Sequence, residues 1–380
     1  MKLQPKVAII SSKRTPIGRV RGSLASLKPE EMFEQLWQGQ SARLKEKIIP
    51  DYVLLGNVMN LGGNIARRAS LLAGIGPSVP AETIDFQCGS GLRAFINGAN
   101  MIVAGDANIV VTGGLESTSQ ANQVLDPITK KPIWRFKMAP VGYEDLDMGI
   151  AAERLATQYK ISRNRQDEYA YNSHKKAVAA IKAGKISREI LALTVKGKQI
   201  LKDDCIRADT SLAKLAQLKP AFIADGTCTA GNSCPLNDGA ASVILGSLAQ
   251  TKEIEGVYFG QVTVGSLPAE FLTTPIKATQ KLMEKFQLTD QDISAYELNE
   301  AFAVQAIVFQ EALQIPAEKY NCWGGALAFG HPFGATGGIL ITRMLKRLNE
   351  ISHPALGIVT LCVAGGMGVS LLLGNKAWKK

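Results

Sequence analysis

Histidine is scarce in this chain. Three stand in 380 residues, His174, His331 and His353, so chemistry that needs an imidazole has few places to find one. Six cysteines, at 88, 205, 228, 234, 322 and 362, form no C-x-x-C pair, which argues against a structural zinc site. In a chain this large, cysteines without a signal peptide read as reduced thiols and not as a disulfide frame. Long apolar runs are missing as well. The longest candidate, residues 357–374, is interrupted by glycines and rich in β-branched side chains, which suits buried strands and not a spanning helix. Residues 7–10 are too short for the apolar core of a signal peptide. The expectation is a soluble, cytoplasmic protein with no membrane partner.

What is present is the composition of a large globular protein: 46% hydrophobic, 20% charged, 36 glycines, 16 prolines and only 6% aromatics. These proportions exclude disordered, collagenous and coiled-coil chains, and the length allows two or three domains with a full core. Forty-three basic residues against thirty-three acidic ones give a net charge of +10. No basic run of five, basic–aromatic interleaving or finger spacing accompanies that charge, which argues against nucleic acid. A solvated basic surface, or attraction of an anionic small molecule, remains.

Periodicity predicts a strand over residues 6–10, a helix over 92–104 stopped by Gly105, and a strand over 109–112 ending at Gly113-Gly114. The C-terminal part repeats this grammar. A glycine-rich turn (330–337) precedes a helix over 339–348, then a strand over 356–362 that ends near Gly365-Gly366. Such alternation implies a mostly parallel sheet in each half, with ligands beyond the carboxyl ends of its strands. The middle differs. Residues 119–140 carry three prolines and the basic residues Lys130, Lys131, Arg135 and Lys137. A polar helix follows, with Ser162 as N-cap and Gly184 as stop. His174 lies on its Ala170/Ala177/Ile181 stripe, where a structural histidine is expected. Residues 118–234 read as an insertion.

Four residues carry candidate chemistry. Cys88 sits between a strand and a helix, where backbone N–H groups and the helix dipole favour thiolate. The same segment contains Gly89-x-Gly91-x-x-Ala94, which mimics a dinucleotide fingerprint but lies far from the first strand. His331, between Gly330 and Pro332 in a tight loop, is poorly suited to core filling. Cys362 ends an apolar strand, and alone would be core. Asn299 precedes an apolar helix over 301–313, and alone would be its cap.

Taken with their surroundings, these residues resemble the thiolase family. The matching pieces are Arg14-Thr15-Pro16-x-Gly18, Cys88-Gly-Ser-Gly91 and Gly113-Gly-Leu-Glu-Ser117, followed by Met148-Gly-x-Ala-Ala-Glu153 and Gln166-Asp-Glu168. Then come 226–232, 237–241, Asn299-Glu-Ala-Phe-Ala303, Gly330-His-Pro332 and Cys362-x-Ala-Gly-Gly-Met-Gly368, in the family's order and across nearly the whole chain. The resemblance implies two similar α/β halves, each with a mixed five-stranded sheet (αβαβα layering), plus an inserted loop domain. The boundaries expected are 1–117 with 235–257, 118–234, and 258–380. It implies an acyltransferase that joins two acetyl-CoA into acetoacetyl-CoA and reverses that step, with degradative 3-ketoacyl-CoA cleavage as the alternative. Cys88 would carry the acyl group and His331 take its proton. Cys362 would be the acid/base at the α-carbon, and Asn299 would hold an oxyanion-hole water. Backbone N–H groups of Cys88 and Ala364 would form a second oxyanion hole. Arg207, Cys234, Met148 and Phe302 match positions along the coenzyme A and acyl chain. No metal or tightly bound cofactor is implied; coenzyme A thioesters are substrates, and the chain would form a homodimer or homotetramer.

Two rivals are a ketoacyl synthase, which lacks the second cysteine, and a non-catalytic lipid-binding relative, which would have lost Cys88, His331 or Cys362. The chain departs from the family at Asp147, Cys234-Pro235, Trp323 and Ala364, and residues 119–147 form a shortened segment.

Overall fold

A computed structural model describes residues 3–60, 62–133 and 135–379. Its strands are β1 (Val7–Arg14), β2 (Gly18–Arg19), β3 (Tyr52–Gly56), β4 (Ala81–Ile84), β5 (Ile109–Ser117), β6 (Leu193–Val195), β7 (Lys198–Ile200), β8 (Asn237–Gly246), β9 (Gly256–Gly265), β10 (Ile293–Leu298), β11 (Leu356–Val363) and β12 (Met367–Asn375). The helices are α1 (Pro29–Ser41), α2 (Ile65–Leu72), α3 (Ser90–Ala104), α4 (Met148–Gln158), α5 (Arg163–Lys182), α6 (Leu212–Ala216), α7 (Thr274–Phe286), α8 (Ala303–Ala312), α9 (Ala326–Phe329) and α10 (Phe333–Leu348).

One mixed sheet runs β10-β11-β12-β9-β1-β8-β5-β3-β4. Five of these strands (β4, β3, β5, β8, β1) come from the first half and four (β9, β12, β11, β10) from the second. The halves meet edge to edge where Val7–Ile9 pairs with Gly256–Tyr258. Alternate residues face opposite ways along a strand, and here both faces are apolar. Leu54 of β3 and Val359, Leu361 and Val363 of β11 pack inward on α3 and α10. Val53 and Leu55 pack outward on α1 and α2, and Ile358 and Leu372 on α8 and its neighbours. Helix, sheet, helix, sheet, helix is therefore the order of layers, with α3 and α10 in the middle.

The middle layer is tight. A side chain at Gly91 or Gly114 would collide with the Gly334 carbonyl, and one at Gly337 with the backbone of Leu92. The apparent dinucleotide fingerprint is thus a device for helix-to-helix approach. Two boundary expectations fail for the same reason. β5 continues through Gly113-Gly114 to Ser117, since Gly113 (φ +136°) lies hard against the Ala241 carbonyl. α10 begins at Phe333, so glycines 334, 337 and 338 belong to the helix. β1 also runs on to Arg14, and α8 starts only at Ala303, with Phe302 and not Asn299 at its N-cap position.

Gly105 (φ +84°) ends α3 as expected. Ser162 accepts the Arg165 N–H at the start of α5, and Gly184 (φ +68°) follows that helix. Among the described residues, no helix is long and apolar enough to cross a membrane.

Candidate active site

The carboxyl ends of β4, β10 and β11 and the N-terminus of α10 converge. Cys88 follows β4 in a turn tied by Ser90, whose hydroxyl donates to the Gln87 carbonyl (2.6 Å) and accepts the Phe86 N–H (2.8 Å). Gln87 itself holds a left-handed conformation (φ +48°), a costly geometry for a non-glycine residue that commonly marks functional turns. Cys362 closes β11 and is buried, packing with Phe302, while Met148 lies against the same group. Its thiol is pushed well above the usual range by burial, with the Cys88 and Cys234 sulfurs adding to the rise. The Cys88 and Cys234 thiols are thus both near enough to act on Cys362. The Cys234 N–H donates to the Ala301 carbonyl (3.0 Å).

Cys88 departs from its sequence expectation. It is only half-buried as a residue, yet burial pushes its thiol up to about 12. The N–H groups of Cys88 itself and of Ala364 hydrogen-bond the sulfur and oppose that rise, while the Glu116 carboxylate adds to it. Loss of solvation outweighs the helix terminus, so without substrate Cys88 is a thiol and not a thiolate. Alkylation of Cys88 by iodoacetamide in the substrate-free protein should accelerate about tenfold per pH unit without a plateau below pH 9. A plateau near pH 7, read by peptide mass spectrometry, would contradict this.

His331 is fixed on every side. Its N–H donates to Asn237 Oδ1 (2.8 Å), and its Nδ1 lies 2.7 Å from the Thr336 hydroxyl. That hydroxyl donates to the Pro332 carbonyl (2.9 Å), so it accepts from Nδ1–H and leaves Nε2 free to take a proton. Burial pushes the imidazole down to about 3. Asn299 Nδ2 lies 3.4 Å from Nε2. The Asn299 Oδ1 atom is buried with no hydrogen-bond partner among the described residues, an acceptor that a water would satisfy.

The loop carrying His331 is anchored by Glu116. Its carboxylate accepts the N–H of Gly334 (2.8 Å), of Met59 (2.9 Å) and of Val58 (3.2 Å), and the Asn57 amide (3.1 Å). Burial raises it to about 7 despite those donors. Glu300 likewise accepts from Tyr169 (3.1 Å) and Ser173 (2.8 Å) of α5 and from Asn321 (2.9 Å), pinning α5 to the residues beside Asn299. Thr336 is the residue that sequence reasoning missed; its only signal is one helical turn of spacing after Pro332.

The remaining sequence candidates divide. Phe302 is buried and meets the Phe222 ring edge-on at 5.9 Å, an apolar wall beside Cys362. Arg207 is exposed, and its backbone N–H donates to His174 Nδ1 (3.2 Å); no described contact joins it to Cys88, His331 or Cys362. Of the 130–137 basic cluster, Arg135 is held by Asp145 in a two-pronged pair, both prongs 2.9 Å. His174 is buried and structural, though Ile181 on its stripe is exposed. Asp147 caps α4 through the Gly149 N–H (3.0 Å). Trp323 is buried with the Lys185 ammonium 5.3 Å above its ring. Positive φ falls on Gly365 and Gly366 and not on Ala364, so alanine supplies its N–H there without strain.

Comparison with known proteins decides the family. The profile described as the thiolase N-terminal domain matches residues 7–249, and that of the thiolase C-terminal domain matches 253–375. The chain belongs to the thiolase family. It is 40% identical over 379 residues to a Staphylococcus epidermidis protein, VraB, which carries the provisional name acetyl-CoA C-acetyltransferase; the match covers 96% of this chain and 97% of that one. Its fold is similar to that of the Bacillus anthracis acetyl-CoA acetyltransferase (TM-score 0.91, 33% identity, 99% and 100% of the two chains). It is also similar to the dimeric peroxisomal thiolase of Saccharomyces cerevisiae (TM-score 0.89, 31% identity, 98% of each chain). These relationships make this thiolase an acyltransferase enzyme with the thiolase fold.

Proposed function

We propose that this thiolase condenses two molecules of acetyl-CoA into acetoacetyl-CoA and runs the reverse thiolysis, through an acyl group carried on Cys88. The observation that carries this reading is the meeting of two kinds of group. The Cys88 and Cys362 thiols are close enough for a charge on Cys88 to raise the proton affinity of Cys362, and the His331–Asn299 pair has a free imidazole nitrogen. Cys88 sulfur attacks the thioester carbonyl, its proton passes to His331 Nε2, and coenzyme A leaves as the thiol on regaining that proton. Once coenzyme A has left, the Cys362 thiol passes its proton to the same Nε2; the imidazolium so formed is a donor, and with a water on Asn299 it holds the oxygen of the second thioester. The N–H groups of Cys88 and Ala364 hold the oxygen of the acyl group on Cys88. The Cys362 thiolate then removes the α-proton of the second acetyl-CoA, whose carbon attacks the acyl carbonyl; Cys88 leaves as thiolate and takes a proton back from His331.

Coenzyme A thioesters are substrates here and not resident groups. Arg207, Lys130, Lys131 and Lys137 would meet the nucleotide, Cys234 the pantetheine arm, and Met148 and Phe302 the acyl chain. The domain division proposed is 1–117 with 235–257, then 118–234, then 258–380, assembled as a homodimer or homotetramer. Purified protein given coenzyme A and acetoacetyl-CoA should produce two acetyl-CoA. Faster cleavage of an eight-carbon 3-ketoacyl-CoA than of acetoacetyl-CoA would instead favour the degradative alternative. Arg207→Ala should raise KM for acyl-CoA by about tenfold and leave kcat within about twofold. A fall in kcat at unchanged KM would remove Arg207 from the nucleotide site.

A further inference from the structure

At the opposite end of the sheet from Cys88 lies a cavity of about 790 Å³, between the starts of β5 and β9, the C-terminus of α1 and that of α10. Thirteen helical steps along α10, about 20 Å, separate its lining residue Lys346 from Phe333 next to the His331 turn. Seven lysines and arginines line the cavity against three glutamates. Three of the cations are committed elsewhere: Lys346 to Glu255, Lys45 to Glu253, and Arg188 to Glu350.

Lys13 and Arg43 have no carboxylate within ion-pair distance among the described residues; each donates only to a backbone carbonyl, of Arg188 (2.6 Å) and of Gly39 (2.8 Å). Glu255, the carboxylate acting most strongly on Lys13, is already shared among Lys346 and the N–H and hydroxyl of Ser12 (both 2.7 Å). Burial, then the Lys346 and Arg43 charges, lower the Lys13 ammonium to about 8. Two cations are thus crowded together, offset only in part by the Glu255 and Glu189 charges. Beside them Ile10, Leu44 and Ile254 form an apolar wall.

We propose that this cavity binds a nucleoside diphosphate, with its phosphates on Lys13, Arg43 and Lys252 and its base against Ile10, Leu44 and Ile254. Fixed ammonium and guanidinium groups recognise phosphate through charge-assisted hydrogen bonds, and the volume falls in the range of small-molecule sites, roughly 300–1,000 Å³. A single inorganic anion would leave the apolar wall unused, which is why a ligand with a planar body fits better. The proposal is independent of the acyl-transfer chemistry at Cys88.

The test is local, because ADP resembles part of coenzyme A. Wild-type protein is treated at pH 8 with a water-soluble acetylating N-hydroxysuccinimide ester, and acetylation of Lys13 is read by peptide mass spectrometry. Sub-millimolar ADP should shield Lys13. The Arg43→Gln/Lys252→Gln variant should need roughly tenfold more ADP for the same protection, with its acyl-transfer rate unchanged. Three results would overturn the assignment: no shielding by ADP, equal shielding in the variant, or shielding by inorganic pyrophosphate at the same concentration as ADP.

Discussion

Mixing the Cys362→Ala variant with acetyl-CoA is expected to leave one acetyl group on Cys88, while acetoacetyl-CoA synthesis falls by about a thousandfold or more. The two half-reactions explain the split. Acyl transfer to Cys88 moves no proton on carbon; it needs the Cys88 sulfur, the free Nε2 of His331 and the N–H groups of Cys88 and Ala364. Carbon–carbon bond formation begins with loss of an α-proton, and Cys362 is the buried thiol proposed to take it, within electrostatic reach of Cys88. Cys88→Ala should lose both steps. The Cys234 thiol is within electrostatic reach of Cys88, so the adduct must be placed by peptide mapping. An acetyl group found on Cys234, or none on a folded Cys362→Ala protein, would refute this division of labour. Persistent turnover by Cys88→Ala would do the same.

Glu189→Gln is expected to destabilise the fold by about 3–5 kcal/mol. Glu189 is fully buried between Arg14 (2.7 Å) and Arg343 (3.0 Å), both of them buried. Burial alone would raise its carboxyl; the Arg343 and Arg14 guanidiniums outweigh that and hold it below the usual range. Removing its charge leaves Arg343 without a carboxylate partner, whereas Arg14 keeps Asp203 (2.7 Å). Because the folded state lowers this pKa, the contribution is complete above the unfolded value, about 4.3. It disappears as pH falls through the folded value. The wild-type advantage over Glu189→Gln, measured by denaturant unfolding, should therefore be constant from pH 6 to 8 and shrink on acidification below pH 4. The exposed Arg165–Glu311 pair serves as control, since such pairs contribute little. A Glu189→Gln loss no larger than that of Arg165→Ala would show that the cluster is not a stability element.

Much of the fold was legible because its signals are local. Helix α3 and its glycine stop follow from apolar spacing and a residue that tolerates positive φ, and α5 from a serine cap and a following glycine. Errors came where a residue answers to something distant in the chain. Gly113 and Gly114 looked like the end of a strand, but they are small because Ala241 and Gly334 press on them. Asn299 looked like a helix cap; instead its amide faces His331, thirty-two residues away.

The ordered motifs, the scarcity of histidine and the pairing of Cys88 with Cys362 were determined by the sequence itself, because residue identity sets which chemistry is available. Tertiary structure alone decided the state of those groups. Cys88 precedes a helix N-terminus, a placement that by itself favours thiolate, yet burial leaves it a thiol near 12 and His331 neutral near 3. The tautomer of His331 depends on Thr336, and a third thiol, Cys234, just before β8, acts on Cys362. Solvation and hydrogen-bond partners belong to packed neighbours from every part of the chain, so no reading of consecutive residues contains them.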